Sequence, residues 1–206
     1  MLISRIDHVS IAVRNRDRAE QFFRDILGAV EGFGMEDHET RYAWRLFSLG
    51  DLSRLEIISP TGEGSFLEGF LKNREGGVHH ISLQTPDLRE TMARLEAHGI
   101  PFFGYHEYPG GVFNEVFIHP RHAFGVLIQI AEFRADDWLS ETVKLPAGKR
   151  WRVEKRGGGA AIVFSHPGGG TVTLELDKGE LKRLMDSLAE AATTGEPGST
   201  GGKPTR

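Results

Sequence analysis

An internal repeat constrains this chain more than any other feature. Ile6-Asp7-His8-Val9-Ser10-Ile11-Ala12-Val13 returns 72 positions later as Val78-His79-His80-Ile81-Ser82-Leu83-Gln84 (80 − 8 = 72). Side chains alternate along a strand, so Val9, Ile11 and Val13 fall on one face and His8, Ser10 and Ala12 on the other. In the second copy Ile81 and Leu83 make the apolar face, while His80, Ser82 and Gln84 share a face too polar and too small for ordinary core. His79 falls on the opposite face. Two strands that each begin with a histidine on the small, polar side predict two halves of one site.

The segments after the two histidine strands repeat as well. Asn15 or Asp17 can cap a helix carrying Ala19, Phe22, Phe23, Ile26 and Leu27 at helical spacing, and Gly28 ends it. Short strands are expected over about 30–35, 42–49 and 52–59, then a short helix over about 65–72. After the second histidine strand, Asp87 caps a helix with Leu88, Met92, Leu95 and His98 on one side, ended by Gly99. Strands over about 102–105, 112–118 and 125–130 complete the copy. Both copies read βαβββ, over about 3–60 and 77–132, within a first domain of residues 1–133. One four-stranded unit alone leaves a sheet face in water, so the predicted class is α+β, with the two modules forming a curved mixed sheet around a shared cavity.

Beyond about residue 134 the repeat stops. Strands over about 151–153, 160–164 and 171–176 precede a helix capped by Asp177, with Glu180 closing a capping box and Leu181, Leu184, Met185 and Leu188 on one face. This predicts a small βββα appendage over 134–192. Residues 193–206 are Gly, Thr, Pro and Ser with a few charges, too poor in apolar groups to offset ordering entropy, and are expected to be a disordered tail.

The last strand of each copy supplies further polar groups at matching offsets. Glu56 lies 48 positions after His8, and Gln129 lies 49 after His80. With no cysteine in the chain, thiolate chemistry and Cys-type metal sites are excluded. Two imidazole nitrogens and two side-chain oxygens from His8, Glu56, His80 and Gln129 suit a divalent Co, Ni, Mn, Zn or Fe ion better than Ca or Mg. An ion so held leaves positions for a substrate carbonyl, and would stabilise the enolate formed when a neighbouring C–H loses its proton.

No proton-transfer group stands out. Glu115, His119 and His122 are the candidates, with Glu115 expected at the surface and the two histidines in a solvated turn. Asp7 and His79 are expected to make structural hydrogen bonds, and Glu132 to face away from the site. A formal charge of −4 with interspersed signs gives no case for nucleic acid or anionic membrane as partner. No signal-peptide pattern opens the chain and no apolar run approaches ~18 residues, so a soluble cytoplasmic protein is expected.

The two βαβββ units, the Ile6–Val13 strand, Gly77-Val78-His79-His80-Ile81, and His119-Pro120 followed by Gly125-Val126-Leu127-Ile128 resemble the vicinal oxygen chelate (glyoxalase/bleomycin resistance/dioxygenase) superfamily. Within it the chain is most similar to the methylmalonyl-CoA epimerase family, then to glyoxalase I. The resemblance covers about 3–132. It implies a metal-dependent isomerase or lyase working through an enolate or enediolate on an acyl-CoA, another thioester or a hemithioacetal, as a homodimer, with His8, Glu56, His80 and Gln129 at the positions of the family's ligands.

Two departures accompany the likeness. The resembling enzymes usually carry a glutamate where Gln129 stands, serving as both ligand and proton-transfer group. The epimerases' second glutamate, on the third strand, falls near Tyr42 to Arg45, where this chain has no acid. On this reading two opposed carboxylates are missing, and a non-catalytic binding protein on the same fold is the alternative. A third reading is a ring-cleaving dioxygenase with His8, His80 and Glu56 around iron.

Overall fold

The computed structural model describes residues 2–50, 53–138, 144–166 and 170–193. The chain divides into two compact units, Met1–Trp138 and Leu139–Arg206.

In the first unit, β1 (Arg5–Val13), β2 (Val30–Asp37), β3 (Tyr42–Ser48) and β4 (Arg54–Pro60) come from the first copy. Strands β5 (Gly76–Thr85), β6 (Phe103–Glu107), β7 (Asn114–Ile118) and β8 (Leu127–Glu132) come from the second. They form one curled eight-stranded sheet in the order β2-β3-β4-β1-β5-β8-β7-β6, a palindrome of the two copies about the antiparallel β1·β5 pair. Each histidine strand pairs in parallel with the last strand of its own module. Ser10 therefore lies opposite Glu56, and Ser82 opposite Gln129. Across the central pair Ser10 faces His80 and Ser82 faces His8, so all four predicted ligands come from four neighbouring strands at one level.

Both central strands carry a bulge just before the predicted ligand histidine. Pairing jumps from Ile6↔Leu83 to His8↔Ser82, leaving out Asp7, and from Ser10↔His80 to Ile11↔Val78, leaving out His79. These are the same position of the repeat (79 − 7 = 72). Because a bulged residue escapes strict alternation, it can be re-aimed toward a site that its place in the sequence assigns to the other face.

Helices cover the sheet at three places. Asn15 caps α1 (Arg16–Gln21) by accepting from Arg18 N at 2.9 Å. The helix then widens into a π turn over Phe22–Ile26, followed by Gly28 at φ +73°. The extra residue of that turn rotates the apolar stripe. Ala19 and Phe23 pack on buried Phe47 and Ile57, whereas Phe22, Ile26 and Leu27, expected on the buried face, are exposed. The short α2 (Leu67–Leu71) buries Leu67 and Leu71 against Ala12 and Ile58. Asp87 caps α3 (Leu88–Ala97) through Glu90 N, and Leu88 packs with Val116, Ile118 and Ile130. Glu132 faces this helix, accepting from Leu88 N at 2.7 Å.

The second unit contains β9 (Trp151–Arg156), β10 (Gly159–Ser165) and β11 (Thr171–Asp177), an antiparallel sheet in the order β11-β10-β9, and α4 (Lys178–Thr193). The capping box forms: Asp177 Oδ1 accepts from Glu180 N and Glu180 Oε2 from Asp177 N. Ala160, Ala161 and Val163 are buried in this unit, while Met185 and Leu188 of α4 are exposed. The tail expected over 193–206 lies, beyond Thr193, outside the described residues. Among the described residues no helix is long and apolar enough to cross a membrane.

Candidate metal and acid-base site

The curled sheet encloses a cavity of about 520 Å³ lined by side chains of both modules. On its floor His8 Nε2 and His80 Nε2 lie 3.4 Å apart, and Glu56 Oε2 is 3.7 Å from the first and 3.6 Å from the second. The three ligating atoms lie within 4.8 Å of one another, so His8, Glu56 and His80 could hold a metal ion.

Each imidazole is oriented from behind by the bulged residue that precedes it. Asp7 Oδ2 accepts from His8 Nδ1 at 2.8 Å, which turns the His8 Nε2 lone pair to the cavity. Asp7 is itself fixed by Arg5, at 2.7 Å, and by Arg54. Burial acts to raise the Asp7 carboxyl, but the hydrogen bond from His8 and the Arg54 guanidinium outweigh it and hold it below the usual carboxylate range. In the second module His79 Nδ1 lies 3.0 Å from His80 Nδ1. Burial, then the charges that His8 and His79 would carry, push His80 well below the usual imidazole range, so it stands neutral, as a ligand must. His79, expected to face away, is instead brought by the bulge to the cavity wall, against the rings of Phe66 and Phe70.

Gln129 is buried beside the triad, and Glu115 departs from its expected position. Rather than lying at the surface, Glu115 lines the cavity, accepting from Gln129 Nε2 at 2.5 Å and, more weakly, from Tyr108 Oη at 3.4 Å. Burial raises its carboxyl above the usual range, partly offset by the Gln129 hydrogen bond, and the nearby Glu56 charge adds to the rise. Alternation on β7 accounts for its direction. Val116 and Ile118 pack into the core under α3, which leaves Glu115 and Phe117 for the cavity. No acid stands at position 129 or on β3, as expected, but Glu56 and Glu115 line the same cavity. Register places Glu115 two residues before Phe117, the partner of Gln129, as Trp44 stands two before Leu46, the partner of Glu56. The acid missing from β3 stands on β7, the equivalent strand of the other module.

The turn histidines separate. His119 reaches the cavity rim, near the ring of Phe103, with Nδ1 accepting from Arg121 N. His122 is exposed and outside the lining.

Two buried oxygens test the fit to a metal. Glu56 Oε2 and Gln129 Oε1 have no hydrogen-bond partner among the described residues. A buried acceptor left unpaired costs about 1–3 kcal/mol, and coordination to a cation would satisfy both. Two imidazoles, one carboxylate and one amide oxygen fit a divalent transition ion.

The fold is that of the vicinal oxygen chelate proteins. Residues 7–116 match the model of the glyoxalase/bleomycin resistance protein/dioxygenase superfamily, and the chain belongs to that family. It is 32% identical over 139 residues to an ethylmalonyl-CoA/methylmalonyl-CoA epimerase of Cereibacter sphaeroides, covering 64% of this chain and 99% of the relative. The human mitochondrial methylmalonyl-CoA epimerase is 30% identical over 135 residues, covering 63% and 74%. Among solved structures, a methylmalonyl-CoA epimerase from Mycobacterium tuberculosis superposes with a TM-score of 0.59 at 26% identity, over 65% of this chain and 90% of that one. A variant of the Streptomyces coelicolor enzyme in complex with 2-nitronate-propionyl-CoA gives 0.57 at 26% identity, over 65% and 96%.

Proposed function

We propose that this chain is a metal-dependent epimerase acting on an acyl-CoA, inverting the carbon next to the thioester carbonyl through an enolate. The observation that carries the reading is that Glu56 and Glu115 share one cavity with two convergent imidazoles and with oxygens of Glu56 and Gln129 that accept no hydrogen bond. The names of the relatives, epimerases of methylmalonyl-CoA and ethylmalonyl-CoA, support the same class of substrate.

His8, Glu56, His80 and Gln129 Oε1 would hold the ion, which when bound supplies Lewis-acid stabilisation of negative charge on a carbonyl oxygen. Asp7 and His79 keep the two imidazoles aimed at it. The apolar walls exclude water, which strengthens every electrostatic interaction inside. Proton transfer falls to the two glutamates. One, as carboxylate, takes the α-proton while the C–H electron pair moves into the carbonyl. The other, as carboxylic acid, returns a proton to the opposite face of the same carbon. Glu115 suits the protonated role, since burial favours its neutral form. The homodimer implied by the resemblance belongs to the same proposal, and sedimentation of the full chain decides it.

The test is α-proton exchange in deuterated water on 2-methyl-branched and malonyl-type acyl-CoAs. Wild-type protein loaded with Co, Ni, Mn, Zn or Fe should exchange the proton, and metal-stripped protein should not. Tight binding of these thioesters with no exchange under any metal would instead mark a binding protein.

A further inference from the structure

The cavity is much larger and more aromatic than a methyl-sized branch requires. Its walls carry Trp44 and Phe33 from the first module and Phe103, Tyr108 and Phe117 from the second, with the Phe117 ring 6.4 Å from that of His80. The Phe33 and Trp44 rings stand 5.4 Å apart edge to face, and those of Phe103 and Phe117 lie 5.8 Å apart. At the rim Phe33 is 58% exposed and Phe103 48%, although both are large and apolar. Among the described residues the lining holds one Arg or Lys side chain, Arg54, and it is buried against Asp7. The walls thus offer aromatic faces and no free cation to the part of the ligand that extends from the reacting carbon.

We infer that the acyl group carries an apolar substituent the size of a six-membered ring on or beside its α-carbon, seated between the Phe33–Trp44 and Phe103–Phe117 pairs. This rests on the thioester reading above and specifies its substrate. A ring-sized group covers apolar surface of these walls that a methyl branch leaves in water. Each methylene-sized increment in an apolar pocket discriminates about 10–200-fold, so a ring-sized group should be favoured at least tenfold.

The experiment compares 2-phenylpropionyl-CoA with 2-methylbutyryl-CoA on the metal-loaded full chain, reading both calorimetric affinity and α-deuterium exchange. The ring compound should bind at least tenfold tighter, and the advantage should fall at least threefold in Phe33→Ser and in Phe103→Ser, two rim positions exposed enough to tolerate the change. Equal or weaker binding of the ring compound, or an advantage untouched by both substitutions, overturns the inference. Affinity decides this point whether or not either compound exchanges, while absence of exchange on both counts against the epimerase reading alone.

Discussion

Gln129 donates through Nε2 to Glu115 Oε2 at 2.5 Å, and that bond decides which end of the buried amide is left for the His8–Glu56–His80 group. With Nε2 engaged, Oε1 is the atom without a partner, and an amide oxygen can ligate a metal where its NH2 cannot. If Gln129 holds the ion as proposed, Glu115 positions that ligand in addition to any part it plays in moving protons. Glu115→Ala should weaken metal binding by about 10–100-fold, as losses behind a ligand typically do. Glu115→Gln can still accept from Gln129 Nε2 and should bind metal nearly as tightly. Titration of metal into both stripped variants checks this.

The raised Glu115 carboxyl also sets a pH dependence in the metal-free protein. Its pKa is higher in the folded chain than in the unfolded one, chiefly through burial. Between the two values the folded state holds a proton that the unfolded state has released, so stability falls as pH rises from the ordinary carboxylate range through the folded value. At neutral pH Glu115→Gln should be more stable than wild type without metal, and the difference should shrink as pH is lowered toward the ordinary carboxylate range. Urea midpoints across that range measure it.

His80→Ala should abolish stoichiometric metal binding, because it removes one of three atoms that converge within 4.8 Å. His79→Ala should retain one ion at saturation with affinity lowered about 10–100-fold, since His79 only orients His80. Elemental analysis of the two proteins separates these outcomes, and the reverse pattern would place the bulge on the wrong histidine.

Asp7 joins the site to the folding energy of the sheet. It is 1% exposed and takes hydrogen bonds from Arg5, Arg54 and His8. Asp7→Ala leaves the buried Arg54 without its carboxylate, and breaking one side of a buried pair costs roughly 3–5 kcal/mol. Denaturant midpoints should show that loss in stripped protein, where metal affinity plays no part.

Much of this site is legible in the sequence because repeat arithmetic is independent of local detail. The spacing of His8 to Glu56 and of His80 to Gln129 survives in the register, with Ser10 opposite Glu56 and Ser82 opposite Gln129. The features that escape a sequence reading break regular alternation. Nothing in Ile6-Asp7-His8 or Val78-His79-His80 announces a bulge, so alternation assigns Asp7 and His79 to the wrong face. The π turn at Phe22–Ile26 likewise rotates a stripe that ordinary helical spacing places on the core. Glu115 is recoverable. Strand β7 begins at Asn114, after a short 3-10 turn over Pro109–Gly111, and not at Val112. The apolar pair Val116 and Ile118 fixes the core face and hence sends Glu115 to the cavity.

Gln129→Glu would put a second carboxylate against Glu115, and like charges so close share a proton rather than both ionising. The variant should bind metal more tightly at neutral pH, through its added negative ligand, yet epimerise more slowly than wild type, since Glu115 would be held by its new neighbour. Calorimetric metal titration and turnover on one thioester report the two effects.

At the centre of the proposed mechanism, Glu56 and Glu115 exchange protons with opposite faces of one carbon. The most direct test is deuterium incorporation from solvent into each enantiomer of a 2-branched acyl-CoA by metal-loaded Glu115→Gln. Exchange should continue from one enantiomer with retained configuration, while interconversion of the two drops by about 100-fold or more, the usual contribution of a positioned acid or base. Interconversion at the wild-type rate in a variant that binds metal normally would contradict the two-glutamate mechanism.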